Sequence, residues 1–232
     1  YGGTKNDTIY GNRGDDTIFS SAGDDIIYGG DGRDTLNYSE IDNVNNIGIN
    51  ANLVTGIVTG DGTDTISNIE NIIGTQDKDI IIGNEKNNTL KGENSADTIS
   101  GAAGDDYIDG GSGNDTIYGI GGENTLYGGT GVDVIYAATT KTGTERGDVV
   151  FGGQGIDTLI GSFHKDFLIG GEQNGYDVEK DWVDYSSLTN AHNYGIRVDL
   201  SSKVIFTDAD GDRASLNGSY SQIFELNNTG TA

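Results

Sequence analysis

The chain has 232 residues, of which 37 are acidic and 13 basic, for a formal net charge of −24. Such an excess of carboxylates excludes direct binding to nucleic acid or to an anionic membrane surface. There are 39 glycines and no proline, cysteine or methionine, which excludes disulfides and thiolate metal sites and predicts many tight turns with positive φ. No apolar run approaches the roughly 18 residues of a membrane span. The acids are then either a disordered surface or a set of groups neutralised by cations, and 33% hydrophobic content sits near the disorder boundary.

Register separates the two. Nine-residue units run from Gly11: GNRGDDTIF (11–19), SSAGDDIIY (20–28) and GGDGRDTLN (29–37). A longer array follows from GTQDKDIII (74–82) through GNEKNNTLK, GENSADTIS, GAAGDDYID, GGSGNDTIY and GIGGENTLY to GGTGVDVIY (128–136). Small residues come first, an acid or amide sixth, an aliphatic eighth. Disorder has no such phase. A period of nine is too short for a helical hairpin and fits three residues of strand plus six of turn. Strand alternation sends the eighth residue (Ile9, Ile18, Ile27 and Leu36, then Ile81, Leu90, Ile99, Ile108, Ile117, Leu126 and Ile135) inward and its neighbours outward. Two units make a coil of 18 residues, and coils stack about 4.8 Å apart as parallel strands do. The expected fold is all-β: a right-handed parallel β-roll, a solenoid of two short parallel sheets around a thin aliphatic core.

One aliphatic side chain per nine residues is too little apolar area to offset the entropy of ordering nine backbones. The turns must contribute. Sixth positions 18 apart share an edge, so their acids form columns in which neighbouring carboxylates repel by roughly 3 kcal/mol. A hard divalent cation between them reverses the sign. Carboxylate and turn carbonyl oxygens suit calcium.

The units GGSGNDTIY (110–118), GGTGVDVIY (128–136) and GGQGIDTLI (152–160) resemble the glycine-aspartate nonapeptide GGxGxDxUx of the RTX (repeats-in-toxin) proteins, a pattern read as a calcium-binding parallel β-helix. The expected metal residues follow the sixth position. In the short array Asp7 stands over Asp25, and Asp16 over Asp34. In the long array one edge carries Asp79, Asp97, Asp115 and Asp133, and the other Asn88, Asp106 and Asn124. An amide brings no charge, so the Asp79 edge is expected to fill first. Beyond a loop insertion near 137–142 the phase resumes in GTERGDVVF (143–151), GGQGIDTLI and GSFHKDFLI (161–169). A second insertion near 170–175 precedes a weak last rung, YDVEKDWVD (176–184). If insertions only lengthen turns, Asp157 and Asp181 stay on the Asp79 edge, while Asp148 and Asp166 join the Asn88 edge. Asp15, Asp24 and Asp105 read equally as further ligands or as solvated acids.

The domain plan is a short block (1–37), a β-hairpin spacer (38–73), a long block (74–184) and a second spacer or cap (185–232). The two non-repeat segments share D-x-x-x-Y-S, then Gly-Ile before an alternating run. Gly48–Leu53 with Ile57–Thr59, and Gly195–Leu200 with Val204–Thr207, are predicted hairpins. Asp208-Ala209-Asp210-Gly211-Asp212 looks like the start of an EF-hand loop, but Arg213 and Ser219 stand where that loop has its glycine and closing Glu, so it reads as a polar turn.

Enzyme motifs are missing: there is no HExxH, GxSxG or P-loop. His164 and His192 read as surface or packing residues, and Trp182 as a cover for the end of the roll. The expectation is a non-enzymatic module. Stacked outward tyrosines, Tyr10 with Tyr28 and Tyr118 with Tyr136, suggest a carbohydrate-binding alternative, and the irregular turn triplets make ice binding the weaker one. The resemblance implies a multi-calcium module that folds after type I secretion, as a spacer or adhesion piece of a large secreted or cell-surface bacterial protein such as an adhesin or toxin. Its expected partners are calcium ions, the secretion machinery and a surface glycan, with no nucleic acid, no membrane insertion and a monomeric state. The first residue lies inside a repeat, so a longer native chain is expected.

Overall fold

The structure, a computed structural model, describes residues 2–41, 48–60, 62–137, 147–162 and 166–171, and the backbone of four strands beyond them. The first array supplies β1 (Thr8–Arg13), β2 (Thr17–Phe19), β3 (Ile26–Asp31) and β4 (Thr35–Asn37). The segment after it supplies β5 (Asn50–Asn52), β6 (Ile57–Gly60), β7 (Gly62–Ser67) and β8 (Asn71–Ile73). In the second array lie β9 (Ile80–Ile82), β10 (Thr89–Lys91), β11 (Thr98–Ser100), β12 (Tyr107–Ser112), β13 (Thr116–Tyr118), β14 (Thr125–Thr130), β15 (Val134–Tyr136), β16 (Val149–Gln154), β17 (Thr158–Ile160) and β18 (Phe167–Ile169). The last four are β19 (Trp182–Asp184), β20 (Arg197–Asp199), β21 (Ile205–Thr207) and β22 (Arg213–Ser215). Among the described residues there is no helix.

The strands alternate between two sheets. A nine-stranded sheet, wholly parallel, runs β2-β4-β8-β10-β12-β14-β16-β18-β20. A thirteen-stranded sheet runs β1-β3-β7-β6-β5-β9-β11-β13-β15-β17-β19-β21-β22. Register follows the 18-residue coil: Ile99 pairs with Ile117 and Ile117 with Ile135, while Leu90 pairs with Ile108 and Ile108 with Leu126. Every one of these eighth-position side chains is fully buried. The fold is the expected parallel β-roll.

The segment between the arrays does more than connect them. β5 and β6 form the predicted hairpin, with Asn50 opposite Thr59 and Ala51 opposite Val58. β7 then turns back antiparallel to β6 and joins β3 in parallel, while β5 joins β9 in parallel. Between β3 and β9 the larger sheet therefore holds three strands, whereas β8 alone lies between β4 and β10 in the other. Tyr38, Ile49, Ala51, Val58, Ile66 and Ile69 are all buried here, a denser apolar cluster than one residue per rung.

The predicted hairpin of 195–200 with 204–207 is corrected. β20 lies in the nine-stranded sheet beside β18, and β21 in the other beside β19. Alternation between faces continues there, and the antiparallel partner of β21 is β22.

Candidate metal centre

Most of the described turns are built on two left-handed residues; the rungs opening at Gly2 and Ser20 have one, and those opening at Gly74 and Gly83 have none. The second position of the rung has positive φ in Asn12, Gly30, Glu93, Ala102, Gly111, Gly129 and Gly153, and the fourth in Gly14, Gly32, Ser95, Gly113, Gly131 and Gly155. The first-position glycine is required by contact: a Cβ on Gly110 would lie 2.5 Å from Asp115 Oδ2 and 2.5 Å from the Gly128 carbonyl oxygen of the next coil. Carboxylate and carbonyl oxygens thus gather against the same bare Cα.

The sixth-position acids stack as the sequence predicts, and each acid that follows another in its column commits one oxygen to the backbone. The Asp79 N–H donates to Asp97 Oδ1 at 2.7 Å, Asp97 N–H to Asp115 at 2.8 Å, Asp115 N–H to Asp133 at 2.8 Å, and Asp133 N–H to Asp157 at 2.9 Å. On the opposite edge Asn88 N–H donates to Asp106, Asp106 N–H to Asn124, Asn124 N–H to Asp148, and Asp148 N–H to Asp166, at 2.7–2.9 Å. In the short array Asp7 N–H donates to Asp25, and Asp16 N–H to Asp34, both at 2.8 Å. Across the insertion after Tyr136 both columns stay in phase, since Asn124 meets Asp148 and Asp133 meets Asp157. Asp181 lies outside the described residues.

The second oxygen divides the column. Oδ2 of Asp7, Asp16, Asp34, Asp97, Asp106, Asp115 and Asp133 is buried with no hydrogen-bond partner. A buried ionised oxygen without a partner costs several kcal/mol or more and calls for a cation or a proton. By contrast, Asp25 Oδ2 accepts from Ser21 Oγ at 3.2 Å, Asp79 Oδ2 from Thr75 N–H at 2.7 Å, and Asp166 Oδ2 from Ser162 N–H at 2.5 Å. In these rungs the second position is Ser or Thr and its φ is not left-handed. Among the described residues no three His, Cys, Asp or Glu side chains converge on one point, because the acids run in single file along each edge.

Burial moves the carboxyls far from their ordinary 3.8. Asp97 is raised to about 8, Asp106 and Asp133 to about 7 and Asp115 to about 6, each chiefly by desolvation. Asp79 is raised as well, again by desolvation first, against hydrogen bonds from Ile49 and Thr75 that lower it.

The fifth position forms a second ladder. Asp15 accepts from Arg33 N–H at 2.8 Å, Asp24 from Thr63 N–H at 2.8 Å and Asp105 from Glu123 N–H at 2.9 Å. These side chains are exposed and zip adjacent coils.

Two sixth-position acids escape a reading by strict ninefold count. Asp64 accepts from Asp25 N–H at 3.0 Å, and Glu70 Oε2 from Asp34 N–H at 3.0 Å, so both continue the columns through the spacer. Gly62-Thr63-Asp64-Thr65-Ile66 carries the repeat's own phase, a signal present in the sequence. Glu70 is hidden because only Asn68 and Ile69 separate it from β7.

Four stretches, residues 1–36, 73–108, 100–135 and 142–176, match the RTX calcium-binding nonapeptide repeat, and together they cover more than half of the chain. The chain belongs to the RTX calcium-binding nonapeptide repeat family. No curated protein matches it. Among solved structures it is similar to the crystal structure of extracellular lipase LipA from Serratia marcescens, at 20% identity and a TM-score of 0.24, over 65% of this chain and 32% of the lipase chain. It thus spans about a third of that lipase. RTX repeats bind several calcium ions per module and are structural rather than enzymatic. The orphaned oxygens fit that chemistry: hard, anionic and gathered beside turn carbonyls.

On the outer faces of this RTX roll aromatic rings stack on one another. Tyr10 and Tyr28 lie 4.9 Å apart and 7° from parallel, Tyr118 and Tyr136 4.8 Å and 10°, Tyr127 and Phe151 4.6 Å and 6°. The facing planes in each pair cover one another, which cements successive coils.

Proposed function

We propose that the chain is a calcium-driven folding and spacing module of a large secreted bacterial protein. RTX repeats occur in secreted bacterial proteins, and type I export followed by folding outside the cell accounts for the absence of cysteine. The observation that carries the reading is the row of buried, partnerless Oδ2 atoms. The ligand set we assign is Asp7, Asp16, Asp34, Asp97, Asp106, Asp115 and Asp133, with Asp148 and Asp157 continuing the two columns. Asp25, Asp79 and Asp166 contribute less, because Ser21, Thr75 and Ser162 already hold their second oxygen. Bound calcium would supply the positive charge that these carboxylate and turn carbonyl oxygens call for. The chain's own part is to hold Oδ1 on the preceding coil's N–H, which leaves Oδ2 open to a cation, and to keep the first position bare so that the oxygens approach.

With the cation withheld, the columns repel and the open turns lose their cohesion. With it supplied, only the coiled state binds, so mass action drives folding. A protein exported unfolded and released into millimolar calcium would fold at that step.

Calcium titrated into the chelated chain, followed by far-UV circular dichroism, is expected to give a cooperative gain of β signal. Asp115→Ala and Asp133→Ala are expected to raise the midpoint about tenfold, the order of one lost carboxylate ligand, and Asp79→Ala by clearly less. A flat titration would overturn the folding role. Equal shifts in all three variants would overturn the ligand assignment.

A further inference from the structure

The joint between the arrays has the same columns and the same buried acids, yet its second oxygens are bound by the protein itself. Glu70 is the clearest case. Its Oε2 takes the N–H of Asp34 on the preceding coil, the bond most sixth-position acids make. Its Oε1, the counterpart of the oxygen orphaned elsewhere, receives the ammonium of Lys86 at 2.7 Å. The Glu70 side chain is only 7% exposed, while the lysine stem reaches it from the surface at 56%. Beside it, the Arg33 guanidinium donates to the Asn87 carbonyl at 3.0 Å and to Asn71 Oδ1 at 3.1 Å. A turn carbonyl and a column carboxylate, two oxygen types that draw a divalent ion, are thus met by two tethered cations.

The other edge is closed by hydroxyls and amides. Asp64 Oδ2 accepts from Tyr38 OH at 2.8 Å and from Ser20 Oγ at 3.3 Å. Asp79 accepts from Thr75 N–H, Thr75 Oγ1 and Ile49 N–H at 2.7–2.9 Å. On Glu70's own edge, Asn88 takes the N–H of Asn84 at 2.8 Å and donates to the Glu70 carbonyl at 2.7 Å. In the two rungs that open the second array, neither Thr75 and Asp77 nor Asn84 and Lys86 adopt the left-handed turn conformation. Orphaned carboxylate oxygens lie on both sides of this region, at Asp34 before it and Asp97 after it. The joint also holds the denser apolar cluster around Tyr38, Ile49 and Ile69, so burial substitutes for part of the cohesion that ions give the arrays.

We propose that this joint is a metal-free clasp in which the Lys86 ammonium, supported by the Arg33 guanidinium, stands in for the divalent ion, so that the joint stays folded when the arrays are stripped. The inference rests on the calcium-driven reading of the arrays, and a charged bond to a buried carboxylate is among the stronger single contacts a protein makes. A permanent island at this position gives each array a preformed coil on which to grow, avoiding the cost of nucleating a solenoid from nothing.

Hydrogen exchange by mass spectrometry on the full 232-residue chain tests it. In EGTA the amides of β7, β8 and β10 are expected to exchange at least about tenfold more slowly than those of β11 and β13. Lys86→Gln is expected to erase that difference and Lys86→Arg to keep it, with both variants protected like the parent in saturating calcium. Equal, fast exchange of joint and arrays in the EGTA-treated parent would overturn the clasp, as would protection that survives Lys86→Gln. Slow exchange throughout the EGTA-treated parent would instead sink the calcium-driven reading, and the Lys86→Gln comparison would still decide whether the ammonium holds the joint.

Discussion

Acidifying the calcium-free chain from pH about 8 to about 5 is expected to restore β structure that chelation removes. The sign follows from the buried carboxyls. Asp97, Asp106, Asp115 and Asp133 are raised from 3.8 to about 8, 7, 6 and 7 by desolvation. Below pH about 4 both folded and unfolded forms carry these protons. Between there and about 8 the folded form keeps protons that the unfolded form has released, so its stability declines as pH rises through that window. Four such groups together change stability by on the order of several kcal/mol, at least comparable to the loss of one core side chain. A proton on Oδ2 does in part what calcium does, by removing the repulsion along the column. With calcium present the dependence reverses, because protons then compete for the ligand oxygens. Circular dichroism across this range, in chelator and in calcium, reads both arms. A calcium-free signal that falls or stays flat on acidification would contradict the buried, partnerless state of these oxygens.

Gly131→Ala is expected to destabilise the calcium-loaded roll by about 3 kcal/mol or more, whereas Gly14→Ala costs roughly 1 kcal/mol. The two glycines hold the same turn position, with φ of 141° and 109°. They differ in surroundings. A Cβ on Gly131 would overlap the carbonyl oxygen of Gly113 on the preceding coil, whereas one on Gly14 meets nothing within 4 Å. Backbone strain acts at both, and collision between coils only at Gly131. Chemical denaturation of the two variants in calcium separates these contributions. Equal losses would mean that the coils part easily at their turns, contrary to the close approach seen here.

The inward aliphatic column and the stacking of acids 18 residues apart were legible because both depend on position within the rung alone. Ile99, Ile117 and Ile135 meet because the coil length makes them meet, whatever lies around them. Asp64 was harder: its Gly-x-Asp-x-Ile phase is present, but the hairpin before it obscures the count. Glu70 was illegible, since a two-residue turn replaces the usual five and only pairing with β4 and β10 fixes its place. Nor does the acid column announce which of its members need a cation. That depends on whether the second residue of the rung turns left-handed, as Gly111 does, or points its N–H at the carboxylate, as Thr75 does. The choice is a backbone torsion that sequence phase does not encode. The antiparallel return of β6 was predicted as local pairing, but its insertion between two parallel neighbours is a long-range outcome. The same kind of outcome separated β20 from β21, where alternation between faces prevailed over proximity along the chain.

β5 and β6 widen one sheet with nothing added opposite them. At about 4.8 Å per strand, that face is longer than its counterpart by close to 10 Å. The extra length on that face is filled from behind by the apolar cluster of Tyr38, Ile49, Ala51, Val58, Ile66 and Ile69, so two short strands set how far apart the arrays stand on one face of the roll and not on the other.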